Sequence, residues 1–120
     1  MAAEANQSVI SVANHVWASL PYDHMTELPF LVDSGASISL VPEAWHNQIA
    51  AEDRPPLEPT DINVYAGGVD NQIRVLGRAE LQFNLQGEVY TNTFHLSPDE
   101  QHGILGMNFM YTWNCHLEPR

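Results

Sequence analysis

Apolar residues fall in short stretches, some continuous and some alternating with polar positions, punctuated by glycine, proline, asparagine or aspartate. Period-two alternation marks strands with one buried face. Residues 8–20 alternate loosely, with Val9, Ser11, Ala13 and His15 opposed to Ile10, Val12, Asn14 and Val16, and predict one strand, closed by a turn at Pro21 and Asp23. Leu28-Pro29-Phe30-Leu31-Val32 and Ile38 to Val41 are apolar runs on either side of Asp33-Ser34-Gly35-Ala36-Ser37, which reads as strand, tight polar loop, strand. Pro42 suits the first position of a short helix through Glu43-Ala44-Trp45-His46. The three prolines between Glu52 and Thr60 predict a surface connection.

Ile62 to Tyr65 and Ile73 to Leu76 flank Ala66-Gly67-Gly68-Val69-Asp70-Asn71-Gln72, whose adjacent glycines permit the positive backbone angles of a hairpin tip. Alternation continues through Ala79, Leu81, Phe83 and Leu85, turns at Gln86-Gly87 and resumes from Val89 to Leu96. From Gly103 to Trp113 the pattern is helix-compatible, with Ile104, Met107, Phe109 and Met110 sharing much of one face. Met1 to Gln7 is small and polar without a period, and is expected to be a disordered terminus or cleavage junction. The fold class is all-β, in a single domain over residues 1–120.

At 120 residues and 44% hydrophobic content there is room for one core. Four Lys+Arg against fifteen Asp+Glu give a net charge of -11, which repels phosphate backbones and anionic lipid heads; no nucleic-acid or membrane partner is expected. The same charge makes two copies repel, and mild acid relieves that repulsion. One cysteine, Cys115, closes no internal disulfide, which points to a reducing, cytoplasmic compartment. No apolar run approaches the roughly 18 residues of a membrane span.

Asp-Ser-Gly is by itself a common turn sequence. Here it is clamped between Leu31-Val32 and Ile38 to Val41, so a carboxylate is held at the edge of a packed core, and the small Gly35 and Ala36 leave room for another backbone to approach. Three separated pieces, in order, resemble the retroviral-type aspartic proteases, the retropepsins. Leu31-Val32-Asp33-Ser34-Gly35-Ala36-Ser37 is similar to their active-site loop. The glycine-tipped hairpin around Ala66-Gly67-Gly68 stands where they have a flap. Gly103-Ile104-Leu105-Gly106-Met107-Asn108-Phe109-Met110 resembles the motif before their C-terminal helix.

The resemblance implies a closed, barrel-like fold with a β-hairpin flap and one short C-terminal helix, homodimeric, cleaving an extended peptide or a Gag-Pol polyprotein inside a precursor or virus-like particle. It assigns Asp33, Ser34 and Gly35 to catalysis, and Ala36, Ser37, Tyr65, Ala66, Gly67, Gly68 and Val69 to substrate. No cofactor is expected. Proteases of this kind need two carboxylates sharing a proton. Asp23, Asp53, Asp61, Asp70 and Asp99 lie in no second Asp-Thr/Ser-Gly loop, so two copies must each supply Asp33.

Many retroviral members pair an acidic residue at the position of Ser37 with an arginine at that of Met107; both charges are absent here, which points to a retrotransposon-like or divergent member. Pro119 and the weak alternation of Cys115 to Arg120 leave open whether the termini interleave in a dimer sheet. Plainer readings stand beside these. Trp17, Trp45 and Trp113 are read as core or dimer-contact residues, and Cys115 as an inert small hydrophobe. His15, His24, His46, His95, His102 and His116 form no metal-ligand pattern, and Asp33 alone fits a structural turn. The alternative function is a retropepsin-fold dimerisation or binding domain of a cellular protein, ubiquitin-shuttle-like or domesticated.

Overall fold

The computed structural model describes residues 8–11, 16–20, 23–33, 35–65, 71–113 and 115–118. Their elements are β1 (Ser8–Ser11), β2 (Val16–Leu20), β3 (Asp23–Val32), β4 (Leu40–Pro42), α1 (Glu43–Asn47), β5 (Val64–Tyr65), β6 (Gln72–Ile73), β7 (Gly77–Leu85), β8 (Glu88–Ser97), β9 (Gly103–Leu105), α2 (Met107–Thr112) and β10 (Cys115–Glu118). Six strands close into a barrel in the order β2-β3-β9-β4-β8-β7, while β5 pairs with β6 and β1 with β10 in separate two-stranded sheets.

The β7–β8 hairpin is the longest ladder, in unbroken register from Gly77↔Leu96 to Leu85↔Glu88. Its inward positions on β7 are Ala79, Leu81, Phe83 and Leu85, all buried, while Arg78, Glu80 and Gln82 face out. Gln86 and Gly87 both take positive φ, 52° and 85°. A two-residue loop with that sign matches the right-handed twist of the paired strands.

Inside the barrel Phe30 lies 5.5 Å from Trp45 and 5.7 Å from both Phe83 and Phe94 by ring centroids. Phe83 in turn meets Phe109 at 5.6 Å, so α2 closes one end of the core and α1, through Trp45, packs on another side. Each such side chain contributes about 1.5–3 kcal/mol by leaving water. Gly103 is part of this packing. A Cβ there would stand 2.1 Å from the Phe30 ring, so the glycine is needed for space.

Pro42 ends β4 and stands one residue before the helical position expected of it, so that α1 opens at Glu43, with His46 in its last turn. The far end is held by Arg54, which donates to the carbonyls of Asn47 at 2.9 Å and Ile49 at 2.8 Å. His46 Nε2 meets the Pro55 carbonyl at 2.8 Å, fixing the proline-rich connection against the helix.

Three expectations are corrected. Residues 8–20 do not form one strand: β1 and β2 belong to different sheets, and β1 pairs in parallel with β10. The helix expected over 103–113 starts only at Met107, because Gly103–Leu105 is a strand inserted between β3 and β4. The second apolar run enters its strand only at Leu40, since Ile38 and Ser39 remain in the Asp33 loop. Of the two readings given for the tryptophans, core or dimer contact, Trp45 is buried in the core, and Trp17, 57% exposed on β2, keeps only the second. Residues 1–7 lie outside the described residues.

Candidate active site

β3 ends at Val32 and delivers Asp33 into a loop that returns as β4. The loop is tied to the junction of β9 and α2 at several points. Asp33 N–H donates to the Leu105 carbonyl at 2.9 Å, and the Ala36 carbonyl accepts the Met107 N–H at 2.7 Å. Within the loop the Ala36 N–H returns to the Asp33 carbonyl at 3.1 Å, and Asp33 Oδ1 accepts the Gly35 N–H at 2.9 Å. That last bond is what a structural turn aspartate makes. Local geometry of this kind is common to the two readings of Asp33.

The Asp33 side chain is half-buried at the floor of a cleft of about 710 Å³. Strand register explains one wall. Leu31 stands beside Ile104, and Ile104 beside Leu40, so three aliphatic side chains from β3, β9 and β4 sit in one row on the outer face of the barrel. The opposite wall is the β5–β6 hairpin and the residues leading into it, with Ile62, Val64, Tyr65 and Ile73 facing the cleft. Its pairing Val64↔Ile73 and Tyr65↔Gln72 is supplemented by Gln72 Nε2 donating to Asn63 Oδ1 at 3.1 Å.

Of the site residues expected from sequence, Asp33, Gly35, Ala36, Ser37 and Tyr65 all line this cleft. Ser34, Ala66, Gly67, Gly68 and Val69 lie outside the described residues. Sequence reasoning missed the aliphatic row, Ile62 and Asn63, and two polar residues behind the loop, Ser39 and Asn108. Ser39 Oγ accepts the Gly106 N–H at 2.9 Å and donates to Asn108 Oδ1 at 2.6 Å. Asn108 Nδ2 donates onward to the Thr93 carbonyl on β8 at 3.1 Å. The available signal was a serine set between Ile38 and Leu40 in an apolar run.

Among the described residues lining the cleft, Asp33 is the one acidic side chain. Among the described residues no three histidine, cysteine, aspartate or glutamate side chains converge as a metal site would require. Nearby, on the outer face of β8, His95 is buried, and that burial, with the Arg78 guanidinium opposite, pushes its pKa below the ordinary 6.5. Chemically, one carboxylate can accept or donate a proton at a bound water. It cannot do both at once, which is what amide hydrolysis by paired carboxylates requires.

No protein-family model matches the sequence, and no curated protein is similar enough in sequence to be detected. Solved structures do match in shape. The EIAV protease, determined with an inhibitor, superposes with a TM-score of 0.62 at 15% identity, over 87% of this chain and 90% of that one. The simian foamy virus protease gives 0.51 at 20% identity, over 81% and 91%. A Legionella pneumophila protein of unknown function gives 0.56 at 12% identity, over 93% of both chains. Among the described residues no helix is long and apolar enough to cross a membrane. A closed six-stranded barrel, a short helix after β9 and these neighbours together establish that the chain has the retropepsin-like fold.

Proposed function

We propose that the protein is an aspartic endopeptidase that works as a homodimer and cleaves peptide bonds of a retroviral or retrotransposon Gag-Pol polyprotein. The observation that carries this reading is Asp33 at the floor of a cleft that holds no second acidic side chain among its described lining residues. Two copies meeting around a two-fold axis place two such carboxylates together. Like charges that close share one proton; one carboxylate takes a proton from water and the other gives one to the scissile amide. Across the axis the Ser34 hydroxyls brace the loops, and the Gly35 carbonyl meets the substrate backbone.

The substrate lies extended between the aliphatic row and the hairpin, which acts as a flap. Its tip, from Ala66 to Val69, supplies backbone amides that pair with the peptide as an added strand would. Ala36, Ser37 and Tyr65 border the peptide. The terminal sheet of β1 and β10 supports dimerisation, because a two-stranded sheet is marginal alone and has open edges for a second copy.

The test is cleavage of a peptide library by the wild type and by Asp33→Asn, with sedimentation of both. The wild type cleaves; Asp33→Asn folds and dimerises without cleaving. A wild-type dimer that binds peptides and leaves them intact replaces this reading with that of a binding domain.

A further inference from the structure

The side chains that tie the Asp33 loop to the start of α2 from behind, Ser39 and Asn108, are neutral. Residues 34–41 and 103–113 contain no charged side chain. Instead, the fully buried Ser39 uses its hydroxyl in both directions, taking the Gly106 N–H and giving its own proton to Asn108. Its carbonyl accepts the His95 N–H at 2.9 Å, and Asn108 reaches Thr93, so the loop, the start of α2 and strand β8 are joined through two side chains. Gly106 directly follows Leu105, the residue whose carbonyl receives the Asp33 N–H. Movement of Ser39 or Asn108 is therefore passed to the Asp33 backbone through one peptide unit.

We propose that Ser39 and Asn108 are positioning residues, a neutral brace that holds the Asp33 carboxylate in its reactive placement. This rests on the endopeptidase reading above. A proton passes back and forth at Asp33 during such a reaction, and a charged support so close would strengthen and weaken as the carboxylate changed ionisation. Neutral hydrogen bonds hold the same geometry in both states and at any salt concentration. Burial of the Ser39–Gly106 bond keeps water from competing for it.

The experiment compares Ser39→Ala, Asn108→Ala, the double variant and Ser39→Thr in peptide cleavage, with exchange of the Gly106 amide followed in parallel. Ser39→Ala and Asn108→Ala each lower kcat about 10- to 100-fold, the loss expected from a misplacement on the order of an ångström, and leave KM within about threefold. The double variant loses less than the two single losses combined, since the Ser39–Asn108 bond is already broken in each single. Ser39→Thr, which keeps the hydroxyl, retains wild-type kcat. A folded variant with full kcat, a loss confined to KM, or a Ser39→Thr as impaired as Ser39→Ala overturns the proposal. Should Ser39→Ala not fold, Asn108→Ala carries the test, because it leaves the Ser39–Gly106 bond in place. A wild type that cleaves nothing sinks the endopeptidase reading instead. The brace is then judged on the Gly106 amide alone: exchange at least about tenfold faster in Ser39→Ala upholds it, and unchanged exchange overturns it.

Discussion

Replacing Gly106 by alanine probes how tightly the Asp33 loop is set on its support. Gly106 has φ -99° and ψ -170°, extended backbone that alanine adopts without strain. What alanine lacks there is space. Its Cβ would stand 2.1 Å from the Ile38 carbonyl oxygen and 2.7 Å from that of Ala36, where ordinary contact begins at 3.4 Å. Both obstacles are backbone of the Asp33 loop, so relief means moving the loop by more than 1 Å. Such a shift strains the Met107 N–H bond to Ala36 and the Gly106 N–H bond to Ser39. Overpacking of this kind costs about 1–3 kcal/mol, and a buried donor left without a partner about as much again. The sum of roughly 2–6 kcal/mol lowers the melting temperature by on the order of 10–25 °C. A catalytic group displaced that far loses about 100-fold in turnover. Thermal unfolding by circular dichroism and peptide cleavage measure the two effects. Gly35→Ala is the control for melting alone, since among the described residues its Cβ meets Asp33 Oδ1, at 3.2 Å, in an exposed turn. A Gly106→Ala protein that melts with the wild type and turns over at its rate would refute the reasoning.

Gly103→Ala drives a methyl into the Phe30 ring, and Phe30→Leu makes room for it; in urea unfolding the double variant is less destabilised than the two singles predict together, and strict additivity would contradict the packing described. For His95 the folded pKa lies below 6.5 through burial first and Arg78 second, so the unfolded chain binds the proton more readily. Its contribution is complete above that pH and is lost as pH falls toward the lowered folded value. His95→Gln should therefore flatten the decline in stability as the pH falls below 6.5, and an identical slope in both proteins counts against it. Because each copy carries a net charge of -11, dimerisation tightens as salt rises. Sedimentation between about 0.01 and 0.15 M ionic strength, across which the Debye length falls from about 30 to 8 Å, shows this; weaker association at higher salt would mean that attraction, not repulsion, governs the interface.

The parts of the fold that the sequence made legible are those whose burial pattern is local. Strand β7 sorts its residues alternately in and out, and Gln86-Gly87 supplies the two positive φ values its hairpin needs. The Asp33 loop was visible because two apolar runs flank it. Gly103–Leu105 was not, because its strand character comes from β3 and β4, partners more than sixty residues away, and three residues carry no period of their own. The pairing of β1 with β10 joins the two ends of the chain and leaves no trace in either four-residue segment. Within the site, the catalytic candidate was readable and its support was not. Ser39 matters through bonds to Gly106 and Asn108, and nothing near residue 39 announces them.

Whether catalysis needs a carboxylate from each of two copies is decided by mixing. Wild type and Asp33→Asn are combined at fixed total concentration, allowed to exchange partners, and assayed for peptide cleavage across the mixing ratio. If each active centre needs Asp33 from both copies, activity follows the square of the wild-type fraction. Activity in direct proportion to that fraction, or above it, would show that one Asp33 suffices and would overturn the shared-dyad account.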